Sequence, residues 1–565
     1  MAKRWAAMAV GLGALVAVQA MAQDRTDPKA APFDVHMTVD AAKTTGHLQP
    51  IWRFFGADEP NYATMKDGRK LMSHLGALRP GDVYFRAHNL LNTGDGTPAF
   101  KWGSTNIYTE DKDGRPVYDF TVTDRIIDSY IQRGVHPYLQ LGFMPQALSS
   151  APAGEQYQHS WRPGFAYNLI EGAWNAPPRD YAKWEELAYQ WTRHNIERYG
   201  RDEVKKWYFE IWNEPNGSSY WRGTHAEFFK LHDYAVAGIR RALPDARVGG
   251  ADFAGSGGAF MDEFLQHVVR GHNDATGGTG TPTDFLSFHA KGSPRYVDGH
   301  VRMGISAQLK TADSGFAKIA AVPELKDRPI VIGENDPEGC AACPGPANAY
   351  RNGTLYASYT AATYPRLWAL AEKRGVNLDG ALTWAFEFED QPWFAGYRQL
   401  STNGIDLPVL NVFRLFAQMG PDALAATSDA EAPLDAIEAN GVEGAPDVGV
   451  LATRTSDHRL AILVWHYHDD DVAGPVANVK LHISGLKAAS LKVTQWRVDG
   501  GNGDAFTAWQ GMGSPQSPDE KQYQVLEAAS VMQPQAWPAP VAVSQGGADL
   551  NFTLPRQGVS LLIVQ

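Results

Sequence analysis

Residues 180–215 read DYAKWEELAYQWTRHNIERYGRDEVKKWYFEIWNEP, and they contain the repeating unit of the fold. The first part opens at Asp180, a residue type that caps helix starts, and closes at Gly200, the usual stop. The second, KWYFEIWNEP from Lys206, is a run of aromatic and β-branched residues that Pro215 ends, as a strand is ended. An amphipathic stretch feeding a short apolar run is the grammar of parallel strands joined by crossover helices.

The unit recurs on both sides of this stretch. TVTDRIIDSYIQRG puts Val122, Ile126, Ile127, Tyr130 and Ile131 on one helical face and ends at Gly134. Strand candidates are WRFFGA from Trp52, DVYFRAH from Asp82, HPYLQLGF from His136, KWYFEIWNEP from Lys206, ARVGGAD from Ala246, DFLSFHA from Asp284, PIVIGEN from Pro329 and GALTWAF from Gly380. Eight such units predict an α/β fold, a (β/α)8 TIM barrel with long loops over residues 51–420. A doubly wound sheet would put a Gly-rich phosphate loop after its first strand, and none is there. After about Gly420 the pattern changes to period-two strands between Gly, Pro, Asp and Asn clusters, such as LAILVWHYH from Leu460 and VSLLIV from Val559. This predicts an accessory antiparallel β-sandwich over 421–565. FDVHMTV, within residues 23–50, reads as a strand that joins the same sandwich.

Residues 1–22 combine a basic start, an apolar run from Ala6 to Val18 and small residues at Ala20 and Ala22, the pattern of a signal peptide. The expectation is an exported chain, periplasmic or secreted, beginning near Gln23, with no membrane anchor. The two cysteines, Cys340 and Cys343, cannot form a four-cysteine zinc site. In an oxidising compartment they read as a small disulfide, with a redox or metal role as the alternative.

Of the 565 residues, 44% are apolar and 20% charged, a composition for a folded protein. A net charge of −12 argues against nucleic acid and anionic membranes as partners. The 17 Trp, 22 Tyr and 24 Phe suit either a ring-rich core or a surface for flat neutral ligands, and sugars are such ligands.

Barrel chemistry sits where strands end. Strand four ends with Asn213 and Glu214, strand seven with Glu334, and in a closed barrel these two strands face each other across the mouth. Two carboxyl groups flanking a sugar bond are the minimal equipment for glycoside hydrolysis.

WYFEIWNEPNG looks like the acid/base strand of clan A glycoside hydrolases, and the chain resembles glycoside hydrolase family 39. FRAHNLLN, QLGFMPQAL, FHA, TWAF and PVLNVFRLFAQMG follow that family in order, over roughly residues 50 to 420. The resemblance implies a sandwich beside the barrel and a retaining enzyme, mostly β-xylosidases with α-L-iduronidases as a second branch. It implies Glu214 as acid/base and Glu334 as nucleophile. Asn213 would bond the sugar 2-hydroxyl, and His88, Phe143, His289 and Trp384 would line the sugar subsite. The family's nucleophile is usually followed by an aromatic or apolar residue, whereas Asn335 and Asp336 stand here, so Asp336 and Glu338 are fallback nucleophiles. No cofactor or metal is required.

Arg86 shares a strand face with His88 and reads as a buried structural ion pair. His466, His468 and Asp469 to Asp471 suit a metal site on paper, although a strand entering an acidic turn explains them as well. Trp102, Tyr108, Trp161, Trp174, Tyr220 and Trp221 are candidate subsite walls. A uronide substrate would need Arg or Lys near the sugar. FEFEDQPWF offers Glu387, Glu389 and Asp390 instead, with Glu389 a candidate ligand of neutral hydroxyls. The expected activity is therefore release of xylose from β-xylosides and xylo-oligosaccharides, with α-L-arabinosides as a further class. The alternatives are an endo-acting exopolysaccharide hydrolase, an α-L-iduronidase-like enzyme, and a carbohydrate-binding barrel without catalysis.

Overall fold

The computed structural model describes residues 27, 30–100, 102–155, 173–340, 342–384 and 386–565. The expected signal peptide lies outside the described residues. Among those described, no helix is long and apolar enough to cross a membrane.

All eight expected barrel strands form. In ring order they are Phe54–Ala57, Tyr84–Ala87, His136–Leu141, Tyr208–Ile211, Arg247–Phe253, Phe285–His289, Pro329–Glu334 and an eighth in two pieces. Asn377–Ala381 pairs with strand seven and Thr383–Trp384 with strand one, which closes the ring in parallel register. The 180–215 stretch forms as read. Helix Tyr181–Tyr199 starts where the Asp180 side chain accepts from Lys183 N, and it stops at Gly200, whose φ of 84° suits glycine.

Alternation along the strands sorts the interior into layers. The floor is a ring cluster of Phe54, Tyr84, Tyr138, Tyr208 and Phe285 with Val331, Leu382 and Trp384. Phe54 stacks on Tyr84 with centroids 5.0 Å apart, and Tyr208 meets Tyr84 edge-on at 5.0 Å. Much of the aromatic excess is therefore barrel filling. One residue pair further along each strand the interior turns polar, with Arg86, Gln140, Glu210 and Ser287 buried above the rings.

The C-terminal strands build one nine-stranded sheet that shares a single apolar core drawn from all its parts. Phe33–His47 lies inside it, antiparallel to Asp422–Ser428 and parallel to Ala477–Ser484. The parallel pair departs from the expected all-antiparallel sandwich, because a strand delivered from the far end of the chain is not bound by a hairpin turn. Val35, Met37 and Val39 face the core while His36 and Thr38 are exposed.

Two helices that strand periodicity did not announce, Ala505–Gly511 and Glu520–Ser530, leave this sheet and pack on the loop after barrel strand eight. Gln516 Nε2 and Oε1 bond the backbone of Trp393, and Phe394 packs 5.0 Å from Trp509. A second tie is buried. Arg366 Nη2 of helix Thr354–Arg374 bonds Asp447 Oδ1 of the sheet at 2.7 Å.

Candidate active site

The end of strand four is held in an unusual backbone shape. Trp212 and Glu214 have φ of 72° and 46°, and Asp252 at the end of strand five has 52°, left-handed values that cost non-glycine residues of order 1–3 kcal/mol each. Neighbouring bonds hold the shape. Glu214 N–H donates to Asp252 O at 2.9 Å, and Gly217 N–H to Glu214 O at 2.8 Å. Gly333 precedes Glu334, and a Cβ there would run into the Asp252 carboxylate.

One imidazole joins the two predicted carboxylates. His289 Nδ1 lies 2.8 Å from Glu214 Oε1, and its Nε2 lies 3.7 Å from Glu334 Oε1 and 2.9 Å from Asp252 Oδ2. The Glu214 side chain is 19% exposed and Glu334 only 6%, so the first opens to solvent and the second is buried.

Burial alone would raise the Glu334 pKa, but His289, Lys291, Arg398 and His88 surround it with positive field and hold it well below the carboxylate range. Lys291 Nζ is 2.5 Å from Glu334 Oε2 and 3.1 Å from Asp336 Oδ1. Arg86 Nη1 and Arg398 Nη1 stand further back, at 3.8 and 3.9 Å. His289 is itself desolvated, yet Asp252 and Glu334 push its pKa up to about 10, which favours the imidazolium, with Nδ1 bonding Glu214 and Nε2 in ion-pair contact with Asp252.

Arg86 organises the layer beneath. Its Nε bonds Glu210 Oε2 at 2.5 Å, its Nη2 pairs with Asp252 and donates to Asn213 Oδ1 at 2.9 Å, and its Nη1 meets His88 Nε2 at 2.9 Å. The expected structural ion pair is present, and Arg86 also holds Asn213 and His88. Glu210 further accepts from Tyr138 and Ser287, each at 2.8 Å, and burial pushes its pKa up to about 7.

Asn213, His88, His289 and Trp384 gather round the carboxylates. The His88 ring sits 4.4 Å from Trp384 and 5.8 Å from Phe143, while Arg86 lies over Trp384. Asn213 Nδ2 and Trp384 Nε1 are buried donors with no protein partner, which suits bonds to sugar hydroxyls. Phe143 also packs on Trp174 and Tyr220, continuing a wall of rings. Trp102 meets Trp174 edge-on, whereas the buried Tyr108 donates to Glu110 and the buried Trp221 to Thr224 O. Trp161 lies outside the described residues.

Other candidates are occupied elsewhere. Asp336 is buried between Lys291 and Arg398, which bonds it at 2.7 Å, and Glu338 pairs with Arg351. Asn335 turns outward to accept from Gln308 at 2.8 Å. Cys340 and Cys343 form a disulfide, and Arg351 donates to both of their carbonyls. His466 and His468 bond the Leu554 and Gly444 carbonyls.

In the acidic stretch after strand eight, two of the carboxylates have protein partners. Glu387 is fully buried against Ser401 and Asn403 N, and Glu389 Oε2 accepts from Asp67 N at the start of helix Lys66–Leu78. Two cations that the sequence did not single out, Lys291 and Arg398, stand beside Glu334. Lys291 lies in the loop just past strand Phe285–His289 and Arg398 in the loop before Gln399–Thr402, so neither carries a periodic signal.

A parallel barrel carrying opposed carboxylates, a fixed imidazolium and unpartnered donors at its mouth is the layout of a sugar-cleaving hydrolase. The glycosyl hydrolases family 39 model matches residues 35–549, and the chain belongs to that family and is a glycosidase. It is 25% identical over 539 residues to a β-xylosidase of Geobacillus stearothermophilus, covering 91% of this chain and 92% of that one. It is 24% identical over 574 residues to an α-L-iduronidase of Mus musculus, covering 93% and 80%. Among solved structures, a monomeric β-xylosidase from Caulobacter crescentus CB15 superposes with a TM-score of 0.71 at 22% identity, over 94% of this chain and 99% of that one, a likeness of fold.

Proposed function

We propose that the protein is an exported glycosidase that releases xylose from β-xylosides with net retention, and that α-L-arabinosides are a further substrate class. The observation that carries the reading is the pair Glu214 and Glu334 bridged by His289. Glu334, held ionised, attacks the anomeric carbon while Glu214 protonates the leaving oxygen; water then reverses the roles on the glycosyl ester. In this reading Asn213 Nδ2, a buried donor with no protein partner, bonds the 2-hydroxyl. The β-xylosidase relatives, matched along almost their whole length, support the glycone.

One observation favours a second reading, a uronide glycone. Lys291 neutralises Glu334 in the free protein, and a substrate carboxylate that drew Lys291 away would release the nucleophile. Assay of p-nitrophenyl β-D-xyloside, p-nitrophenyl α-L-arabinoside and 4-methylumbelliferyl α-L-iduronide separates the two readings. On the substrate turned over, Glu334→Ala abolishes hydrolysis, whereas Glu214→Ala still cleaves activated aryl glycosides and is rescued by azide. An inverted anomer appearing first by NMR refutes retention.

A further inference from the structure

Asp252 has no part in the double displacement as written, yet it is fully buried and touches three elements of the site. Its Oδ2 pairs with Arg86 Nη2 from strand two and with His289 Nε2 from strand six, and its carbonyl accepts the Glu214 amide from strand four. The contact to His289 is oblique to the ring N–H, so it acts as an ion pair more than a straight hydrogen bond. The charged groups facing His289 are Glu214, Asp252 and Glu334, with Arg86 behind Asp252 and Lys291 in the loop that follows the His289 strand.

We propose that Asp252 is a positioning residue for acid catalysis: it fixes His289 as the imidazolium whose Nδ1–H occupies Glu214 Oε1, so that the transferable proton is confined to Oε2. This rests on Glu214 being the acid/base. A neutral imidazole could instead accept the carboxyl proton on Nδ1 and turn it away from the substrate. In the glycosylation step the Glu214 O–H bond breaks, the leaving oxygen gains that proton as its bond to the anomeric carbon breaks, and Glu334 bonds the anomeric carbon. His289 neither gains nor loses a proton.

The test is Asp252→Asn, assayed as kcat/KM for a leaving-group series on whichever aryl glycoside the protein hydrolyses. Cleavage of phenyl glycosides falls about 100-fold, within the span of general acid catalysis, and of dinitrophenyl glycosides less than about 10-fold. The basic limb of the pH profile moves down by at least about one unit, because His289 loses the counter-charge that keeps it protonated. In a His289→Asn background, Asp252→Asn adds no further leaving-group selectivity. Equal loss across the series with an unmoved pH profile overturns the proposal, as does selectivity that persists without His289. If Asp252→Asn fails to fold, histidine 15N NMR of the wild type decides: a neutral His289 ring at about pH 7 overturns it, and a doubly protonated ring supports it. Glu214→Gln is run first. Should it lack leaving-group selectivity, the acid/base assignment fails before Asp252 is judged.

Discussion

Replacing Glu387 by Gln isolates a buried acid that the chemistry does not use. Glu387 is fully buried in the loop that carries Arg398, and burial pushes its pKa up from 4.5 to about 8 against weaker opposing bonds from Ser401 and Asn403. Its carboxyl oxygens accept from Ser401 Oγ and Asn403 N; with its pKa raised to about 8 the group keeps its proton in the folded protein near neutral pH, and glutamine is the uncharged replacement of the same shape. Between pH 4.5 and about 8 the unfolded chain has released this proton and the folded one has kept it. The folded state binds more protons there, so this group's contribution to stability falls as pH rises, by about 1.4 kcal/mol per unit, on the order of 5 kcal/mol across the window. Gln has no such slope. Urea unfolding of both proteins at steps from about pH 5 to 8 should show Glu387→Gln gaining on the wild type at each step, and the difference cancels every other titrating group. Parallel profiles would refute the assignment of a proton to Glu387.

Asp447→Ala strips Arg366 of its main partner at the contact between barrel and sheet and also frees the Trp465 indole N–H, leaving Glu431 at 3.5 Å. A cost of about 3 kcal/mol in unfolding free energy is expected, the lower end for breaking a buried pair, and a loss under about 1 kcal/mol would show that the domains dock by apolar packing alone. Gly333→Ala drives a methyl into the Asp252 carboxylate. It should destabilise by about 1–3 kcal/mol and reproduce the leaving-group selectivity of Asp252→Asn, whereas full activity in a leaving-group series would mean that Asp252 can move without consequence.

Strand periodicity and helix stops were enough to place every barrel strand, because each short apolar run has to be buried on both faces and each crossover helix on one. Glu214 and Glu334 were legible for a related reason: a carboxylate directly after an apolar strand has few places to be except the mouth. The helices Ala505–Gly511 and Glu520–Ser530 were hidden by the surrounding strands, and no pattern announced that Glu387 would bond Asn403 N or Glu389 the start of helix Lys66–Leu78.

The sequence by itself determined the barrel, the added sheet with a strand from each end of the chain, and the two strand-end carboxylates, since all are set by local pattern and order along the chain. Only the tertiary structure decided the charge around them. Arg86, Asp252 and His289 come from three separate strands and Lys291 and Arg398 from two loops, and Coulomb interactions depend on distances through space, which no spacing along the chain records.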